Sequence, residues 1–92
     1  MALVFDTNAY YSPAIDGRGF TQATIYINSS ANGTLDVDIS GDGQNFSDYG
    51  TSAVTAGVTA VYDVPLTSDN GFIRYSVTGA ATDSVTSSVA LS

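Results

Sequence analysis

The chain has no cysteine, no histidine and no tryptophan, and it also lacks lysine and glutamate. Without cysteine, neither a disulfide nor a thiolate metal site can staple the fold. Without histidine the usual general base is missing, and the thiol nucleophile is missing as well. Transition-metal binding through imidazole or thiolate is excluded on the same count. Arg18 and Arg74 are the only cationic side chains against nine aspartates, for a net charge of −7. A nucleic-acid binder needs a basic stripe to neutralise phosphates, and no such stripe exists. Anionic membrane surfaces are disfavoured for the same reason. No apolar run approaches the ~20 residues that span a bilayer. Met1-Ala2-Leu3-Val4-Phe5-Asp6 has neither the positive start nor the long apolar stretch of a secretory signal, so cytosolic synthesis from Met1 is expected.

What is present is a short chain rich in β-branched residues and tyrosine, punctuated by glycine, asparagine, aspartate and serine. Ninety-two residues make one domain, spanning 1–92. A domain of this size buries only about 60–65% of its unfolded surface, so its core is thin. Stability has to come from packing, backbone ladders or association with other chains. Apolar residues do not recur at helical spacing, and no helix is predicted.

The pattern predicts an all-β fold: an antiparallel β-sandwich of six to eight strands, immunoglobulin-like or jelly-roll in connectivity. Phe20 to Asn28 reads as the first clear strand, with Ala23, Ile25 and Ile27 on one face. Asn32-Gly33 supplies residues that tolerate positive φ, which predicts a hairpin. Thr34 to Ser40 returns in period two, with Leu35, Val37 and Ile39 inward and Asp36 and Asp38 in water. Gly41-Asp42-Gly43-Gln44-Asn45 is a turn, after which Phe46 re-enters the core. Residues 46–57 read as irregular, with a short strand around Ala53-Val54. Val58 to Val64 alternates again, and Pro65 ends that strand or marks an edge. Phe72 to Thr78 and Val85 to Leu91 complete the set. Residues 1–19 read as a short edge strand, Leu3 to Asp6, followed by a long loop, together able to serve as an anchoring arm.

Asp36-Val37-Asp38-Ile39-Ser40-Gly41 matches the front of a calcium loop, but the twelfth position is Ser47 and the chain has no glutamate. A strand accounts for the interleaved Leu35, Val37 and Ile39, which the calcium loop leaves unexplained. A weaker calcium site built from Asp42, Asp48 and loop carbonyls is the remaining metal candidate, and no cofactor is expected. Asp36 and Asp38 lie about 6.5–7 Å apart on a strand facing water, unlike a carboxylate pair in a cleft. Tyr10, Tyr11, Tyr49 and Arg74 are the candidate partner contacts. Tyrosine is favoured at interfaces and at sugar-stacking sites, and arginine can clamp a carboxylate. For Arg74 the simpler expectation is a pair with a nearby aspartate on its own sheet. Asn28, Asn32 and Asn45 head glycosylation sequons that read as chance matches without a secretory route.

Ile39-Ser40-Gly41-Asp42-Gly43-Gln44-Asn45-Phe46, with Gly71-Phe72-Ile73-Arg74-Tyr75 later, resembles small β-sandwich modules on the virion surfaces of tailed phages and archaeal tailed viruses. The same layout is similar to discoidin-like carbohydrate-binding modules. The first resemblance implies a structural virion protein, a capsid decoration or other surface protein. It would bind the major capsid or other virion proteins in many copies, as a homo-oligomer on the virion surface. The second implies a receptor- or glycan-binding module of a fibre or adhesin. With neither histidine nor cysteine, an enzyme is not expected.

Overall fold

The computed structural model describes residues 9–67, 70–79 and 84–92. Eight strands follow in order: β1 (Ala9–Tyr11), β2 (Ile15–Asp16), β3 (Gln22–Ser29), β4 (Gly33–Ser40), β5 (Ser47–Val54), β6 (Ala60–Pro65), β7 (Phe72–Thr78) and β8 (Val85–Leu91). They form two antiparallel sheets. One is five-stranded, in the order β1-β7-β4-β5 with β2 also on β7; the other is three-stranded, β6-β3-β8. The molecule is a β-sandwich, as its period-two pattern predicts.

The core lies between the sheets. Ala23, Ile25 and Ile27 of β3 face Leu35 and Val37 of β4 and Ile73, Tyr75 and Val77 of β7 in one buried cluster, closed by Val54, Val64 and Leu66. Burying one such aliphatic side chain contributes about 1.5–3 kcal/mol. Leu35 and Val37 of β4 are sealed because the residues opposite them, Ser52 and Gly50 of β5 and Val77 and Tyr75 of β7, face the same side of the sheet, while Ile39, beyond the bulge, is only half-buried.

The connections decide which sandwich this is. Only β4 and β5 are joined as a hairpin within one sheet. The chain changes sheet after β2, β3, β5, β6 and β7. An immunoglobulin sandwich keeps its last two strands in one sheet. Here β7 and β8 lie in different sheets, so the connectivity is of the jelly-roll kind.

Several local expectations are corrected. Asn32-Gly33 is not a hairpin turn. Both edges of β3 are already taken, by β6 and β8, so β4 has to cross to the other sheet. Gly33 is needed there for closeness, since a Cβ at this position would run into the carbonyl oxygen of Thr78. Asn32 holds the crossing by accepting from the Ala56 amide at 2.8 Å. Residues 46–57 hold a full eight-residue strand, β5. Its side chains carry little period-two signal because it is an edge strand whose pairing comes from the backbone ladder with β4. The loop expected after Asn8 contains two short strands, β1 and β2, broken at Pro13 and paired with β7. Phe20 and Val58 fall outside strands and are exposed. Pro65 closes β6, which is an edge of its sheet. The strand expected at Leu3 to Asp6 lies outside the described residues.

Gly33→Ala should therefore lower stability by about 1–3 kcal/mol, the usual cost of an inserted methyl that meets backbone. Thermal or urea unfolding reads this directly. A melting temperature unchanged from the parent would contradict the tight crossing.

Candidate functional site

The richest chemistry lies on the outer face of the five-stranded sheet, where β4, β5 and β7 place side chains in register. Asp38 pairs across β7 with Arg74, and across β5 with Asp48. A bulge between Val37 and Asp38 leaves Tyr49 as the extra residue of β5 and brings Asp48 opposite Asp38. As a result Asp36, Asp38 and Asp48 converge, with carboxylate oxygens within 4.8 Å of one another. Like charges placed opposite on a sheet are destabilising.

Asp36 carries most of this tension. Burial, and after it the charge of Asp48, pushes its carboxyl above the usual carboxylate range, with Asp38 adding to the effect. Its Oδ1 is buried and has no hydrogen-bond partner among the described residues. These three carboxylates are the hard oxygen donors that a divalent cation such as calcium takes, though calcium collects about six to eight ligands.

The calcium candidate expected at Asp42 and Asp48 is not how these acids are grouped. Asp42 is spent on its own turn. Its Oδ1 accepts from the Gln44 amide at 2.9 Å, the Asn45 amide at 2.8 Å and the Ser40 hydroxyl at 2.8 Å, and its Oδ2 accepts from Asn45 Nδ2 at 2.8 Å. These donors, the Asn45 and Gln44 amides foremost, hold the Asp42 carboxyl well below the usual range.

Both arginines are engaged in the same way. Arg74 Nε donates to Asp38 Oδ2 at 3.1 Å, and its guanidinium lies 4.2 Å from the centre of the Phe46 ring. Phe46 is thus a platform on the sheet face and not the core residue expected from the sequence. Arg18 grips Asp16 with two bonds, Nε to Oδ1 at 2.9 Å and Nη2 to Oδ2 at 2.8 Å, and lies 4.8 Å from the Phe72 ring centre. That grip holds Asp16 down to about 2. The fork-shaped clamp considered for Arg74 is found at Arg18, within the chain. Nothing in the sequence marked Phe72 as its stacking partner, because the pairing of β2 with β7 brings them together.

The candidate tyrosines separate. Tyr10 turns into the sandwich: its hydroxyl shares a 2.8 Å hydrogen bond with Ser87 of β8, and its ring centre is 6.2 Å from that of Tyr75. Tyr75 donates to the same Ser87 hydroxyl at 2.9 Å. Tyr10 therefore pins the two sheets together and is not paired with Tyr11. Tyr11 is 46% exposed and Tyr49 39%. The Tyr49 ring meets Tyr62 of β6 edge-on, at 6.3 Å between centres.

No protein-family profile matches the chain, and no curated protein matches it by sequence. The fold is shared with PBSX exported protein XepA. The crystal structure of XepA superposes on 92% of this chain with a TM-score of 0.70 and 19% identity. The match covers 32% of the XepA chain, so this sequence spans about a third of that protein. At that identity the likeness establishes the architecture alone.

The titrations carry opposite signs. Asp16 and Asp42 are depressed in the fold, so their stabilisation is present above the unfolded value of 3.8 and is lost as pH falls below it. Asp36 is raised, so its cost is absent at low pH and grows as pH rises through 3.8 towards its folded value. Asp36→Asn should raise the melting temperature at pH 7, and the gain should vanish near pH 3. Asp42→Ala should lower it at pH 7, and that loss should shrink in acid. Melting curves of both variants across pH check the pair; an Asp36→Asn variant less stable than the parent at pH 7 would contradict the reading.

Proposed function

We propose that this chain is a structural virion protein, a capsid decoration or other surface protein that binds the major capsid protein in many copies as a homo-oligomer and carries out no enzymatic step. One observation carries the binding part of this reading. Tyr11, Phe20, Tyr26 and Tyr49 are between 39% and 46% exposed. Aromatic side chains held in water are costly on a free surface and are the anchors that protein interfaces use. Tyr11 and Tyr49 are the proposed contacts. Arg74, already stacked and paired, would present its outer edge to a partner carboxylate.

The virion part rests on the resemblance of the residue 39–46 and 71–75 segments to virion surface modules. The fold neighbour's description as an exported protein suits a protein that works outside the cell. The alternative, a glycan-binding module, draws on exposed Tyr11. It loses the paired tyrosine platform, because Tyr10 faces inward.

The test is composition and affinity. Mass spectrometry of purified particles should find this chain in many copies. Tyr11→Ala and Tyr49→Ala should each weaken binding to bare capsid shells by about tenfold or more. Absence of the chain from particles would overturn the reading. Glycan-array binding that Tyr11→Ala abolishes would favour the alternative.

A further inference from the structure

Asn32-Gly33 carries latent chemistry as well as the crossing between sheets. An asparagine side chain can be attacked at Cγ by the backbone nitrogen of the next residue. A following glycine, having no Cβ, leaves that approach unhindered. The bond from nitrogen to Cγ forms, the bond from Cγ to Nδ2 breaks, and ammonia leaves with the proton of the glycine amide. The succinimide ring then takes up one water at either carbonyl. One opening gives aspartate. The other gives isoaspartate, whose main chain runs through the side-chain methylene and is one carbon longer.

The fold holds this reaction off. The Asn32 side chain reaches across to the turn between β5 and β6, where its Oδ1 accepts from the Ala56 amide at 2.8 Å. Gly33 is already the first residue of β4, opposite Val54 of β5, and it lies close against the Thr78 carbonyl. The Asn32 carbonyl is hemmed in too: a Cβ at Gly79 would stand 3.3 Å from its oxygen. Two other pairs that can close the same ring, Asp16-Gly17 and Asp42-Gly43, are held at the attacking nitrogen. Gly17 N donates to Gly71 O at 2.7 Å, and Gly43 N donates to Ser40 Oγ at 2.9 Å. At Asn32 it is the attacked side chain that is held. Ring closure there requires the Ala56 bond to break and the first rung of β4 to turn, which is a local opening of the crossing.

We propose that Asn32-Gly33 is a deamidation site gated by this crossing, shut while the Ala56 amide holds Asn32 and reactive when the crossing opens. The inference does not depend on the virion reading. The two products have different fates. Aspartate at position 32 keeps an oxygen where Oδ1 sits, so it still accepts from the Ala56 amide while adding one negative charge. Isoaspartate lengthens the main chain where Gly33 meets Thr78 and the Asn32 carbonyl meets Gly79, and that spacing has no room for another carbon. A chain that reacts by the second route is marked covalently and does not close the crossing in its original register.

Peptide mapping by mass spectrometry tests this on the full chain, kept folded or kept unfolded in urea in the same mildly alkaline buffer. Asn32 should deamidate at least about tenfold more slowly in the folded chain than in urea. Equal rates in the two would overturn the proposal. Ala56→Pro then removes the donor. Thr55 to Val58 form a turn closed by Val58 N to Thr55 O at 3.1 Å, with Ala56 at negative φ and Gly57 at φ 77°. This is the type II form, which favours proline at its second residue. In the folded Ala56→Pro chain Asn32 should deamidate about two- to tenfold faster than in the folded parent, the rate equivalent of one hydrogen bond. A folded variant that reacts no faster would overturn the gating by Ala56. The comparison of folded and unfolded parent needs no variant, so it decides the matter even if Ala56→Pro fails to fold. Isoaspartate-bearing chain, separated from the parent by ion exchange, should melt at a lower temperature; a melting temperature equal to the parent's would contradict the tight fit at the crossing.

Discussion

β3 is hydrogen-bonded along both edges, by β6 on one side and β8 on the other, and the architecture follows from that. A strand with no free edge cannot accept its sequence neighbour. β4 therefore leaves for the opposite sheet within the few residues after Ser29, and Gly33 lets it pass close against Thr78. Once β4 lies between β5 and β7, its alternation sorts Leu35 and Val37 into the core and Asp36 and Asp38 onto the outer face. The thin core of a 92-residue chain is then shared by two sheets, each sealing the other.

The same crossing explains why the outer face is crowded with charge. A β4–β3 hairpin would set Asp36 and Asp38 beside the neutral Thr24, Tyr26 and Asn28. In the five-stranded sheet they meet Asp48 on one side and Arg74 on the other. Arg74 answers Asp38 and rests on Phe46, while Asp36 keeps a buried oxygen without a partner among the described residues. An unanswered carboxylate next to two others is a local cost, and the saturated turn at Asp42 a few residues later is a local gain. Neither sits in the interior, so the fold tolerates both.

Much of this was legible in the residues. The period-two runs of β3, β4, β7 and β8 located those strands and the parity of their faces, because apolar and polar side chains alternate wherever one face is buried. The turn at 41–45 was legible through its glycines and Asp42. β5 was not, because an exposed edge strand of serine, threonine and glycine has no hydrophobic alternation to read. Missing β5 meant missing the bulge, and with it the approach of Asp48 to Asp36 and Asp38. The acid cluster is a product of register, which a single sequence does not display. Tyr10 and Tyr11 show the same limit: adjacent residues of a strand point opposite ways, so one pins the sheets and the other faces solvent. Phe46 looked like a core residue, and the placement of Phe46 under Arg74 and of Phe72 under Arg18 depends on cross-strand neighbours.

The most direct measurement of the central claim is the pattern of cross-strand nuclear Overhauser effects around β3. The crossover at Asn32-Gly33 requires backbone contacts of Tyr26 with both Val61 and Ser88, and of Ile25 with both Tyr62 and Val89. Contacts linking Ile27 and Ile25 to the backbone of Leu35 and Val37 would make β3 and β4 a hairpin in one sheet, and the account given for the core and the acid cluster would fail together.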